Sequence, residues 1–320
     1  MTAGDALTRY AEGGILPYGL TLAAVGVTEV IPLTQDGYLA RATTRKQLLL
    51  GLSLEEKFDL LLENYAEMES TVLDIALHYS LFPLSARTIL EDGIHVTNRR
   101  IANLLTTARL YLDHVPHELS STYGDGDEKV ETFRQATNRE YDSVLGYRVM
   151  EALRNYVQHR SLPTHNFSLS SSMDHSTDPP MIRCQVMPSL NVLTLEGDSE
   201  FKKSVLAELK PLAGEKNLVS LLPLVRAYVQ SLAFVHQAVR SLIKADIEAA
   251  DALVANDVSE ASDRFGSEWI EGLVAAQLGT QGEIVQHIYV QEWPTVRRKA
   301  LESKNSSLSS LASRYITSQA

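Results

Sequence analysis

The sequence predicts a mainly α-helical protein, a bundle of long helices with small β elements near both ends and in the middle at about 182–195. Apolar residues recur at three- and four-residue steps over long stretches, which is typical of helices that bury one face. Short apolar runs bounded by turn residues interrupt this pattern and favour a few strands. The composition, 44% apolar and 22% charged, is that of a globular protein.

Residues 1–52 are expected to form a small mixed α/β segment. The runs 19–27 and 29–33 are apolar, short and bounded by turn residues, so both are predicted to be strands. The stretch 34–37 ends in Asp-Gly and is predicted to be a turn.

Residues 53–255 are expected to form the helical bundle. Ser53 followed by Glu56 is a capping-box pattern, so a first helix is predicted from Ser53 to Pro83. A second helix is predicted from a cap at Thr97 or Asn98, and a loop at 120–127. The first helix carries a long apolar stripe, expected to be buried: Phe58, Leu61, Leu62, Tyr65, Met68, Val72, Leu73, Leu77 and Leu81.

A third helix is predicted over about 129–159, ahead of Pro163. A loop and β insertion is expected at about 166–198. Within this insertion, residues 166–182 are expected to form an exposed crossover segment. Residues 182–186 and 191–195 are predicted to be two strands that pair with each other. Helices are then predicted over about 199–212 and 219–254. Residues 256–320 are expected to be a mixed segment with a strand at 284–290 and a frayed, Ser-rich tail.

The charge, the cysteine count and the missing sequence motifs restrict the possible functions. The chain has 29 Lys and Arg against 40 Asp and Glu, a net charge of −11, which argues against coating a long nucleic acid but not against a small basic cleft. One cysteine, Cys184, excludes an intrachain disulfide and a thiolate metal cluster. Neither a signal peptide nor a membrane-spanning run is evident, so the cytoplasm is expected. Glycine-rich phosphate motifs are absent, so no nucleotide cofactor is expected. His114 and His117 lack the spacing and the third ligand of a zinc site, so no metal is expected either.

The stretch that suggests chemistry is Arg154-Asn155-Tyr156-Val157-Gln158-His159, late in the third predicted helix. A histidine exchanges protons near neutral pH, an arginine stays charged and binds phosphate oxygens, and an asparagine orients either by hydrogen bonding. The stretch resembles the R-x(4–6)-H motif of the HEPN ribonucleases, in which the residue after the arginine is commonly polar.

The resemblance implies a HEPN-like bundle that cleaves RNA without a metal, by attack of the 2′-hydroxyl, with Arg154, Asn155 and His159 as catalytic residues. It also implies a homodimer that brings two motifs into one cleft. A toxin or antiviral defence effector is the role HEPN proteins commonly have, and such a role brings an antitoxin or regulatory protein as a further partner.

A helical projection leaves the geometry of the motif open. At about 100° per residue, Asn155 and His159 share a face, whereas Arg154 and His159 diverge by roughly 140°. Either the helix loosens near Gln158, or Arg148 or a second subunit completes the site. Substrate contacts are expected from Arg148 and Tyr141, which project near that face, and from Arg160 and His165, which lie close in sequence.

Two other interpretations remain open. In the first, the chain is a non-catalytic HEPN-like module that binds RNA, nucleotide or a protein and keeps Arg154 for phosphate. In the second, it is a helical scaffold in which the motif is accidental, because a histidine or arginine at a helix end also interacts favourably with the helix dipole.

Overall fold

A computed structural model describes residues 17–24, 29–176, 178–214, 216–280, 282–306, 308 and 310–314, without the side chains of residues 268 and 269. The prediction of a mainly helical protein with small antiparallel sheets is confirmed. None of the helices in this described part combines the length and hydrophobicity that crossing a membrane requires.

The helices and strands are numbered in chain order. The helices are α1 (Gln35–Leu81), α2 (Ala86–Tyr123), α3 (Glu128–Ser143), α4 (Leu145–His159), α5 (Val192–Glu196), α6 (Lys203–Leu209), α7 (Leu221–Phe265) and α8 (Trp293–Lys304). The strands are β1 (Tyr18–Leu22), β2 (Ile31–Leu33), β3 (Asn166–Asp174), β4 (Met181–Asn191), β5 (Leu218–Ser220), β6 (Leu273–Leu278) and β7 (Ile284–Tyr289).

The chain divides into two compact units, each built from separate stretches of sequence. The first comprises 1–56, 118–127 and 240–304, and the second comprises 57–117, 128–239 and 305–320. The expected segments 1–52, 53–255 and 256–320 followed the chain linearly. The long helices α1, α2 and α7 each contribute residues to both units, which a linear division does not anticipate.

The first unit holds an antiparallel sheet in the order β2-β1-β6-β7. The strand predicted at 29–33 is confirmed over 31–33 and the one predicted at 284–290 over 284–289. Of the strand predicted at 19–27, residues 19–22 lie in β1, and residues 25–28 lie outside the described ones. Buried ion pairs join the helices of this unit. Arg240 forms two hydrogen bonds of 2.6 and 2.5 Å with the carboxylate of Glu55, whose side chain is 3% exposed.

The predicted start of the first helix at Ser53 is wrong. Helix α1 begins at Gln35, where Thr34 Oγ1 accepts a hydrogen bond from the Gly37 N–H at 3.0 Å, so the expected turn at 34–37 is the first turn of the helix. Ser53 lies inside the helix and its hydroxyl donates to the carboxylate of Glu118 at 3.0 Å.

In the second unit, helices α1, α2, α4 and α7 pack around a core of large side chains. The His236 ring stacks on Phe58 with centroids 3.9 Å apart, and the Tyr111 hydroxyl lies 2.8 Å from His236 Nδ1. The predicted cap at Thr97 or Asn98 is wrong, since both residues are buried within α2. Asn98 Oδ1 instead accepts the N–H of Thr164 at 2.8 Å.

The single helix predicted over 129–159 is two helices that meet at Val144, whose backbone is extended (φ −113°, ψ 113°). Gly146, in the first turn of α4, lies against α7. A Cβ atom there would be 2.7 Å from Ala227 Cβ and 2.8 Å from the Leu224 carbonyl oxygen. The glycine therefore allows α4 to approach α7 more closely than a side chain would permit.

The prediction of an exposed crossover segment at 166–182 is wrong, because residues 166–174 form β3. This strand pairs along its whole length with β4, and β5 pairs with the far end of β4. The expected strand at 191–195 is the short helix α5, capped by the Asn191 side chain. Residues 311–313, in the tail expected to fray, form a 3₁₀ turn with Leu311 buried.

Candidate functional site

The candidate site lies at the C-terminal end of α4. The helix buries one face of apolar residues and exposes Asn155 and His159 on the other. These two residues are four positions apart, so they lie one above the other on the same side of the helix. The helical projection made from the sequence also placed Asn155 and His159 on one face.

Arg154 does not lie with them. It is half-buried, and its Nη1 donates to Gln158 Oε1 at 3.0 Å, while its Nε is buried without a hydrogen-bond partner. The Arg160 N–H donates to the Tyr156 carbonyl at 2.8 Å, as in a regular helix. The loosening near Gln158 that would swing His159 toward Arg154 is therefore absent.

A pocket of about 520 Å³ opens beside the exposed face of α4. The helix end contributes Asn155, Tyr156, His159 and Arg160, and the segment between α5 and α6 contributes Asp198, Glu200 and Phe201. The rings of Tyr156 and Phe201, both largely buried, meet edge to face with centroids 6.2 Å apart. This gives the pocket an aromatic floor with polar groups around it.

The electrostatics of the pocket are mixed. Arg160 Nε lies 3.7 Å from Asp198 Oδ2, and Arg160 Nη2 lies 3.9 Å from Glu200 Oε1. Two carboxylates thus face one guanidinium, so the field that a phosphate would meet at Arg160 is largely cancelled. Asp198 is also held in place, because its Oδ1 accepts the Glu200 N–H at 2.8 Å.

Arg148 and Tyr141 are not among the residues that line this pocket. Arg148 binds both carboxylate oxygens of Glu208 at 3.1 and 2.6 Å, and its Nη1 donates to the carbonyls of Tyr141 and Asp142 at the end of α3. The Lys202 ammonium donates to the Tyr141 hydroxyl and lies 4.7 Å from that ring. Arg148 is thus held by α3 and Glu208.

His165 is also placed away from the pocket lining. Its Nδ1 accepts the Asn191 N–H at 3.1 Å, and its ring meets Tyr156 edge to face at 5.4 Å. Burial lowers the pKa of the His165 imidazole, because the charged form loses its hydration. Its Nε2 is buried without a hydrogen-bond partner.

The structure thus brings together three of the seven residues singled out from the sequence: Asn155, His159 and Arg160. Sequence reasoning missed Asp198, Glu200 and Phe201. Glu200 and Phe201 fall at the start of the helix predicted over about 199–212, which begins only at Lys203, and Asp198 directly precedes it. Nothing local connects these residues to a helix end some forty positions earlier.

Comparison of the chain with protein-family models, with curated proteins and with solved structures found no match. In the described part of the chain, no group of three or more histidine, cysteine, aspartate or glutamate side chains is placed to hold a metal ion.

Proposed function

We propose that the chain is a metal-independent endoribonuclease of HEPN type, with His159 as its proton-transfer residue. The observation that carries the proposal is that His159 and Asn155 share one exposed face of the last turns of α4 and both open into one pocket. The HEPN-like motif in the sequence supplies the reaction class. A role as a toxin or defence effector, with an antitoxin or regulatory partner, belongs to the same proposal.

The reaction needs a base, an acid and a cation. A base removes the proton of the ribose 2′-hydroxyl, and the oxygen attacks the adjacent phosphorus. The bond to the 5′-oxygen then breaks, that oxygen takes a proton from an acid, and the products are a 2′,3′-cyclic phosphate and a 5′-hydroxyl. An imidazole suits either proton transfer near neutral pH, and the Asn155 amide can hold the ring or the phosphate by hydrogen bonding.

The pocket of a single chain does not supply the base, the acid and the cation that this reaction needs. Arg154 lies off the pocket face and Arg160 faces two carboxylates, so no uncompensated cation lies beside His159 among the residues that the structure describes. The proposal therefore includes a homodimer in which a second copy brings its own α4 end to the same RNA. Two histidines would then serve the two proton transfers.

A second candidate is a non-catalytic module that uses the same pocket to bind a nucleotide or a protein. The carboxylates of Asp198 and Glu200 favour it, because they repel phosphate but accept hydrogen bonds from amino groups and pair with basic side chains. The aromatic floor of Tyr156 and Phe201 suits a flat ring or an apolar side chain.

The test is to incubate purified protein with tRNA and mRNA in EDTA and to identify the ends of the products. Wild type and the control His95→Ala, which removes an exposed histidine outside the pocket, should yield 2′,3′-cyclic phosphates, and His159→Ala should not. Equal cleavage by His159→Ala would refute the assignment. Absence of cleavage by wild type would favour the binding module.

A further inference from the structure

The pocket beside α4, which we call the α4 pocket, has more negative charge in its lining than positive charge to balance it. Asp198 and Glu200 both face the guanidinium of Arg160, and the lining also contains His159. The neighbouring Lys202 does not line the pocket, and its ammonium donates to a hydroxyl of α3. While His159 is neutral, one guanidinium stands against two carboxylates. The charge of the lining therefore favours a cationic ligand.

The two carboxylates also have free acceptor capacity. Asp198 Oδ1 accepts the Glu200 N–H at 2.8 Å, whereas Asp198 Oδ2 is 3.7 Å from Arg160 Nε, beyond the length of a hydrogen bond. Glu200 Oε1 is 3.9 Å from Arg160 Nη2 and 3.5 Å from the Ser199 hydroxyl. Among the described residues, none donates a hydrogen bond to Asp198 Oδ2 or Glu200 Oε2. Both oxygens are thus available to a donor that enters the pocket.

The aromatic part of the pocket favours a flat cation over a compact one. Tyr156 and Phe201 line the same pocket as the carboxylates, with ring centroids 6.2 Å apart. A guanidinium is planar and more weakly hydrated than an ammonium, and it packs on aromatic rings while its N–H groups bind carboxylates. An ammonium is strongly hydrated and gains less from such rings. The volume of about 520 Å³ is within the range of small-molecule sites.

We propose that the α4 pocket binds a guanidinium group, carried by an arginine side chain of a protein or by a free arginine-like molecule. The group donates to the free oxygens of Asp198 and Glu200 and lies against the aromatic floor. It also offsets part of the carboxylate charge at Arg160, so a phosphate at Arg160 is compatible with it. The proposal names the ligand of the second candidate function and does not depend on cleavage of RNA.

The experiment is a titration of the ¹⁵N-labelled full chain, followed through the amide signals of Arg160 and Asp198, with three ligands of one shape. Butylguanidinium is the test ligand, butylurea is its neutral counterpart, and butylammonium carries the same charge on a compact group. A butylguanidinium dissociation constant of about 1 mM is expected for a ligand of this size. Butylurea should bind at least about tenfold more weakly, and butylammonium at least about threefold more weakly.

The test variant is Asp198→Asn/Glu200→Gln, which removes both carboxylate charges and keeps the size of each side chain. It should bind butylguanidinium at least about tenfold more weakly than wild type, and circular dichroism checks that it is folded. The matched control is Glu91→Gln/Glu131→Gln. It removes two charges from side chains that are each 60% exposed and lie outside the pocket lining, and it should bind as wild type does.

The absence of a saturable shift up to ~20 mM butylguanidinium would overturn the proposal. So would equal binding by the test variant, or equal binding of butylurea or butylammonium to wild type. Tighter binding of guanosine than of butylguanidinium would also overturn it, and would identify a site for a nucleobase.

Two further ligands identify the source of the guanidinium, and either result supports the proposal. Tighter binding of N-acetyl-arginine methylamide than of L-arginine would indicate a protein side chain, and the reverse order would indicate the free amino acid. Cleavage of RNA plays no part in these titrations, so failure of the ribonuclease proposal is recognised separately.

Discussion

Replacing Asp198 by Asn is expected to raise the affinity of the pocket for single-stranded RNA. The Asp198 carboxylate lies 3.7 Å from Arg160 Nε and lowers the attraction of that guanidinium for a phosphate. The Asn side chain keeps the size and the acceptor oxygen that receives the Glu200 N–H, so the local turn should persist. The substitution therefore removes charge with little change in shape.

The magnitude follows from Coulomb's law. Two unit charges about 4 Å apart in bulk water interact by about 1 kcal/mol, which is about fivefold in a binding constant at low salt. At physiological salt, where the Debye length is about 8 Å, screening reduces this to about threefold. Asp198 should matter more than Glu200, because its side chain is 17% exposed against 70% and water screens it less.

The assay is fluorescence anisotropy of labelled RNA in a His159→Ala background, so that the RNA stays intact. The double variant Asp198→Asn/Glu200→Gln is expected to bind about fivefold more tightly than its parent at ~0.15 M salt, because Glu200 adds less than the threefold of Asp198, and still more tightly at lower salt. The matched control for the single variant Asp198→Asn is Glu91→Gln, which changes the net charge by the same one unit on α2, outside the pocket lining.

The change in RNA affinity of the control variant decides whether the electrostatic argument holds. A gain confined to the two pocket carboxylates would mean that RNA approaches Arg160. If Glu91→Gln gave the same gain, the effect would be one of net charge alone. A loss of affinity in the double variant would refute the electrostatic argument, and would indicate a ligand that donates hydrogen bonds to these carboxylates.

Three further predictions concern stability, measured by urea unfolding. Gly146→Ala should cost about 1–3 kcal/mol through its contact with α7, whereas Gly197→Ala, where the nearest atom is 3.5 Å away, should be nearly neutral. Arg240→Met should cost about 3–5 kcal/mol by leaving a buried carboxylate without this partner, and Arg87→Met, in an exposed pair, less than about 1 kcal/mol. Because the folded-state pKa of His165 is depressed, wild type should lose stability as pH falls below about 6.5 toward that lower pKa, and His165→Gln should lose less over the same window. Equal costs within either matched pair, or an unchanged pH dependence in His165→Gln, would contradict the corresponding argument.

The long helices were predictable because their apolar spacing is a property of each helix alone. The ends of the helices were less predictable. The residue types of a capping pattern also occur inside helices, where their side chains form hydrogen bonds to other segments. Ser53 and Asn98 both satisfy the pattern for a helix start, yet each bonds a distant segment from within a helix, to Glu118 and to Thr164 respectively. A single sequence does not distinguish the two uses.

Strand β3 was missed for a related reason. Its central residues are serines, which favour loops in isolation, and it forms a strand because β4 pairs with it along its full length. Pairing between strands is a tertiary effect that outweighs local preference. The residues of the candidate site were likewise predictable only where local geometry relates them. Asn155 and His159 are related by helix geometry and were predicted together, whereas Asp198 reaches Arg160 only through the fold.

The apolar row at the end of α1 shows a further limit of periodicity. The prediction that Leu73, Leu77 and Leu81 are buried with Val72 is wrong, since these leucines are 42%, 56% and 60% exposed. At about 100° per residue, Leu73 and Leu77 lie roughly 100° and 140° round the helix from Val72, and Leu81 lies roughly 180° from it. The row therefore leaves the buried face, although each step within it is a helical one. Steps of three and four residues show that a set of side chains forms a row on a helix, and only the angle between two rows shows whether both lie on the face that the fold buries.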